Sequence, residues 1–100
     1  MLSFSHDRVF DILSCYIFEG LKMGKREVGK NLYGFNLKAI ADTTEPQCAE
    51  LCLEDEQCKS VDYLPIEDKC YFNSVNKVDQ PDAFKNHSNH VYQEKFYGCE

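Results

Sequence analysis

Six cysteines, three histidines and several closely spaced carboxylates are the residues of this chain that could do chemistry. Cys48, Cys52, Cys58 and Cys70, joined by His87 or His90, hold the atoms of a zinc site. Structural zinc, however, wants two cysteine pairs, each closely spaced. Here Cys48-x-x-x-Cys52 stands alone, Cys58 and Cys70 are isolated, and no metal site is expected. His87 and His90 read as solvated residues of a polar loop. The run Glu54-Asp55-Glu56 lacks the alternating oxygen ligands and the glycine of a calcium loop, and reads as a solvated helix end. A hydrolase needs a nucleophile, a base and an orienting group in one cleft, and no Gly-x-Ser-x-Gly elbow is present. Neither a catalytic residue nor a cofactor is expected.

The better use of the sulfurs is covalent bracing. An even cysteine count in a short, tryptophan-free chain supports three disulfides, although the count alone leaves fifteen connectivities. It also points to an oxidising, extracellular setting. The opening MLSFSHDRVFDILS carries Asp7, Arg8 and Asp11 where a secretory signal needs an unbroken apolar core, so any leader is expected outside this sequence. No run approaches transmembrane length, and direct membrane insertion is not expected.

Charge narrows the partners. The net charge is −6, but residues 1–38 balance at +2 and residues 39–100 at −8, counting Lys and Arg against Asp and Glu. Nucleic acid is a poor match for such a surface. Lys22, Lys25, Arg26 and Lys30 form the one basic cluster, a candidate for a sulfated glycan or an acidic partner, or else a hairpin edge guarded by lysines. Asn86-His87-Ser88 is a glycosylation sequon in a polar stretch. Tyr16, Tyr33, Tyr63, Tyr71, Tyr92 and Tyr97 divide between core and rim, and exposed tyrosines make good sugar and protein contacts.

These groups need elements to hold them. Thr44 with Gln47 has the spacing of a capping box, and Pro46 sits in a first turn where its missing N–H costs nothing. A helix over 44–55 follows, with a stripe of Cys48, Leu51 and Cys52 facing inward and Glu50, Glu54 and Glu56 outward. From Ser60 the period becomes two, with Val61 and Tyr63 buried against Ser60 and Asp62 outside, and Pro65 stops that strand. Cys70-Tyr71-Phe72 begins a returning strand after the turn PIEDK, residues 73–90 read as a long surface loop, and HVYQEKFYGC as a last strand. Upstream, CYIFEG reads as a strand, residues 22–30 as a hairpin loop or solvated edge strand, and NLYGFNLKAIA as one alternating strand with a bulge or close backbone approach at Gly34. Residues 1–14 read as an arm.

Residues four apart on a helix hold their Cβ atoms roughly 5–6 Å apart, too far for a disulfide. Cys48 and Cys52 should therefore bond outward. Cys58 is the nearest partner for Cys52, and Cys70 is placed to staple the returning strand to Cys48. That leaves Cys15 and Cys99.

Taken together, Cys15, the strand LYGFNL, the run TEPQCAELCLEDEQCKSVDYLP, then KCYFNS and VYQEKFYGC resemble the PAN/apple domain family over residues 15–99. Family members pair first cysteine with last, second with fifth and third with fourth. The resemblance thus implies Cys15–Cys99, Cys48–Cys70 and Cys52–Cys58. It further implies an α+β fold, a small disulfide-braced antiparallel sheet of about five strands packed on one helix. The implied function is that of a secreted, non-catalytic module binding a protein or carbohydrate. Alternatives are a self-associating module of an extracellular matrix or filament, or a regulatory domain of a larger secreted enzyme. The loop 22–30 and the arm before Cys15 depart from the family pattern.

Overall fold

Thr44 opens the helix in the way its spacing with Gln47 dictates. A computed structural model describes residues 20–97. In it the Gln47 N–H donates to the Thr44 hydroxyl at 3.3 Å, and the Thr44 N–H donates to Gln47 Oε1 at 3.0 Å. The helix α1, Glu45–Glu54, ends at Asp55, whose N–H reaches back to the Cys52 carbonyl. Replacing Thr44 with alanine removes one half of this reciprocal cap and should cost about 1 kcal/mol of stability in urea unfolding, with serine restoring most of it.

Around the helix the strands are β1 (Leu21–Met23), β2 (Glu27–Leu32), β3 (Asn36–Ile40), β4 (Ser60–Leu64), β5 (Lys69–Asn73) and β6 (Phe84–Tyr97). They make one antiparallel, curled sheet in the order β1-β6-β4-β5-β3, with β2 also pairing β6. The fold is therefore α+β, one helix on a disulfide-braced sheet. The turn between β4 and β5 is a short 3-10 helix, Pro65–Glu67, closed by Asp68 in the left-handed region. The N-terminal arm, the run from Cys15 and the Cys15–Cys99 pairing lie outside the described residues.

Cys48 and Cys52, both fully buried, are the inward stripe of α1. Leu51, expected beside them, is 39% exposed; the third position of so short a stripe already rolls off the sheet. Cys48 is bridged to Cys70 on β5, with Cα atoms 5.5 Å apart, and Cys52 to Cys58 past the helix end, at 5.4 Å. Around these sulfurs pack Val61, Tyr63, Phe72 and Val91, with Met23 and Ile40 at the margin. The Tyr63 hydroxyl donates to the Thr43 carbonyl at 2.7 Å and so ties β4 to the residue before the cap.

Three expectations need correction. The strand read across NLYGFNLKAIA is two strands, because Gly34 sits at φ +92° and turns the chain between β2 and β3. No neighbour lies within 4 Å of where its Cβ would be, so it is a turn glycine and not a site of close approach. Next, β4 is not half-buried. Ser60 and Asp62 are as hidden as Val61 and Tyr63, because the corner where β2 leads into β3 folds over their face. Finally, residues 84–90 are not loop. They form the first half of β6 and pair with β2 through Lys30↔Asn86, Asn31↔Lys85 and Leu32↔Phe84. Pairing holds at 84–86 although Lys85 and Asn86 are polar.

β6 is irregular at one place. Val28 pairs with Val91 and Lys30 with Asn86, so Gly29 alone faces His87, Ser88, Asn89 and His90. Gly29 lies at φ +80°, the left-handed kink that lets one residue oppose this wide bulge.

Candidate functional site

On the face of β4 away from the helix the core is polar. Asp62 accepts the Leu32 N–H at Oδ1 and the Asn73 side-chain amide at Oδ2, both at 3.0 Å. Asn73 also donates to the Ser60 hydroxyl at 3.2 Å and accepts from the Asn36 amide at 2.8 Å. Ser60 passes its own proton to the Val75 carbonyl at 2.6 Å. This network stitches the end of β2, the start of β3, β4, β5 and the loop after β5 into one corner. Among the described residues no buried side-chain nitrogen or oxygen lacks a partner. Burial of Asp62 lifts its pKa to about 6, against the pull of the Asn73 and Leu32 hydrogen bonds.

Beside the network Tyr92 is fully buried. Its hydroxyl accepts the Lys77 N–H at 2.9 Å and donates to Glu94 at 2.8 Å, and its ring meets that of Phe84 edge-on at 4.8 Å. Burial holds the Tyr92 phenol far above the usual range.

The outer side of this corner opens as a cleft of about 220 Å³ lined by Asn31, Leu32, Tyr33, Asn36, Asp62, Tyr71, His87 and His90. Tyr33, 71% exposed, stands where the chain turns at Gly34. The two histidines come from the β6 bulge, with Nδ1 atoms 2.9 Å apart. Burial lowers the pKa of His90, His87 lowers it further, and Glu67 opposes both. The cleft thus offers an exposed aromatic ring, side-chain amides and an imidazole pair, over a floor already saturated with hydrogen bonds. A surface of this kind can hold a polar ligand. Among the described residues there is no cluster of three metal-ligating side chains.

The basic residues do not converge. Lys22 pairs with Phe96 near the end of β6, while Lys30 pairs with Asn86 near its start. The regular strand between those register points alone spans roughly 20 Å. Arg26 is engaged by Glu45 in the first turn of α1, an ion pair that raises the guanidinium pKa through its hydrogen bond and charge. The Lys30 amine donates to Asn86 Oδ1 at 2.5 Å and lies 5.8 Å from the Phe84 ring centre. Lys22 and Lys25 are exposed, as is Asn86 of the sequon. Asn31, Asn36 and Asp62 went unmarked as site residues in the sequence, and Tyr33 and Tyr71 stood out only among the other tyrosines. The signal that could have found Asp62 is its place inside Val-Asp-Tyr, a charge in the most apolar strand.

A helix stapled to a curled antiparallel sheet by paired half-cystines, with a polar cleft at one corner, defines a small disulfide-braced binding domain. A family profile described as the PAN domain matches residues 24–97, and the chain belongs to that family. No curated protein matches the sequence. PAN domains act as protein- and carbohydrate-binding modules, are generally non-catalytic and are typically extracellular, a setting that the two disulfides suit. Among the described residues no helix is long and apolar enough to cross a membrane.

Proposed function

We propose that this domain is a secreted, non-catalytic recognition module that takes a carbohydrate in the cleft between the β2–β3 corner and the β6 bulge. The observation that carries this reading is Tyr33, a largely exposed ring at a cleft lined by the Asn31 and Asn36 amides. An aromatic face for the apolar side of a sugar ring, with amides for its hydroxyls, is the usual division of labour in a polar pocket. The test is a glycan array followed by titration of the best ligand. Tyr33→Ala should weaken binding about tenfold, the loss of roughly 1.4 kcal/mol. Unchanged affinity in that variant would remove the cleft from consideration. Lys25→Glu with Arg26→Glu tests the basic loop separately, since a sulfated ligand held there would be lost in that variant alone. Asn86, the sequence neighbour of the cleft residue His87, carries a glycan when the chain passes through a eukaryotic secretory pathway.

A second reading, self-association, is favoured by the edge strand β3. Among the described residues β3 pairs only with β5, and its bulged Leu37 is 43% exposed. Sedimentation that shifts with protein concentration in the absence of any ligand would support it.

A further inference from the structure

Residues three apart on a regular strand point to opposite faces. His87 and His90 do not, because the bulge loops them out together against Gly29. Their Nδ1 atoms stand 2.9 Å apart and their ring centres 4.1 Å apart at 74°. Neither ring props up the core: His87 is exposed and His90 partly so. Among the described residues neither ring bonds to a side chain other than its twin. In the neutral pair one Nδ1–H faces the lone pair of the other Nδ1.

We propose that His87 and His90 form a surface site for a divalent transition metal, Cu²⁺ before others, gripped in cis by the two Nδ1 atoms. Metal–imidazole bonds of about 2.0 Å drawn from two nitrogens at the observed separation subtend about 90° at the metal. That is the cis angle of a square-planar or octahedral ion. Tetrahedral Zn²⁺ would need the nitrogens roughly 0.4 Å further apart. Tetragonal nitrogen ligation suits Cu²⁺ and Ni²⁺, and Cu²⁺ stands highest in the affinity order of divalent first-row ions. Binding needs no net loss of protons from the neutral pair. The histidine that held its proton on Nδ1 takes it up on Nε2, and both Nδ1 lone pairs are then free for the metal. Glu67, on the 3-10 turn beside β6, and Asp62, lining the same cleft, put negative charge near the site. The nearest cation on the paired strand, Lys30, is occupied with Asn86. This site does not depend on the cleft's taking a sugar.

The experiment is a titration of the oxidised domain with CuCl₂, followed by calorimetry and electron paramagnetic resonance. One Cu²⁺ per domain is expected, with a tetragonal spectrum carrying nitrogen hyperfine structure. His87→Ala and His90→Ala should each weaken binding by at least about tenfold, the loss that even an outer-shell partner causes. Unchanged affinity and spectrum in the double variant, or no binding by the parent domain, overturn the proposal. The parent alone gives a second readout by nuclear magnetic resonance. Substoichiometric Cu²⁺ should broaden the imidazole signals of His87 and His90 before that of His6, the third histidine of the chain. Broadening that begins at His6 places the metal elsewhere and overturns it equally.

Discussion

Cys48→Ala with Cys70→Ala should lower the unfolding free energy by about 3–4 kcal/mol, roughly twice or less the loss from opening Cys52–Cys58 by the same double substitution. The bridges close loops of very different length, with sequence separations of 22 and 6. In the chain-entropy account the longer loop confines the unfolded chain by about 3.4 kcal/mol and the shorter by about 2.3. The longer bridge also joins two different elements, α1 and β5, at the centre of the core, where both cysteines are fully buried. Alanine there leaves unfilled space in addition to the lost link, which pushes the cost upward. Urea unfolding of the parent and both double variants under non-reducing conditions checks the order. A smaller loss for the longer bridge would mean that the unfolded chain already keeps α1 near β5.

Asp62→Asn should gain on the parent domain by about 2.4 kcal/mol as pH rises from 4 to 7.5. The native carboxyl holds its proton to about pH 6. In the unfolded chain it lets go near 3.9. Between those values the native state binds the extra proton, so the carboxyl's contribution is complete below about pH 4 and is lost as pH rises through 6. Asparagine keeps the shape without the charge, and rotating the Asn73 and Asn36 amides gives the new side-chain amide an acceptor, at the expense of the Asn73 bond to Ser60. His90 works the other way. Its pKa is lowered in the fold, chiefly by burial, so its contribution is present above the unfolded value and is lost as pH falls. The parent curve mixes the two, and the difference between the Asp62→Asn and parent curves isolates the carboxyl. Asp62→Ala is the contrasting variant: it strands the Leu32 N–H and the Asn73 amide and should lose about 2–4 kcal/mol at acidic pH. Denaturant midpoints across the pH range check both variants. A difference curve flat from pH 4 to 7.5 would mean that water reaches the carboxylate freely.

The parts of this fold that could be read from the chain are those decided within a few residues. The Thr44 and Gln47 cap, the stop at Pro65 and the strands on either side of it depend on local chemistry, and they stand as the spacing indicates. The rest depends on what folds over what. Period-two alternation puts Asp62 on the outer face of β4, and only the corner beginning at Leu32 makes that face an interior. The first half of β6, FKNHSNH, carries no apolar period because most of its side chains face water, yet Phe84, Lys85 and Asn86 pair with β2 before the bulge begins. The cleft was the least legible feature. Its lining runs from Asn31 to His90, and nothing local to Tyr33 says that Asn36, Tyr71 and His87 stand around it. The basic cluster shows the converse: neighbours in sequence, Lys22 and Lys30 are carried to opposite ends of β6.

The β6 bulge has a further consequence for how the domain can change. Pairing is fixed on one side by Lys30↔Asn86 and on the other by Val28↔Val91. The segment 87–90 between those clamps belongs to neither register. Lengthening or shortening it shifts no core side chain to the wrong face, and closing a somewhat longer loop costs only about 0.6 kcal/mol per doubling. The scaffold therefore contains a graft point: a short exchangeable segment, at the rim of the cleft, whose content can be rewritten while α1, its disulfides and the buried polar corner stay as they are.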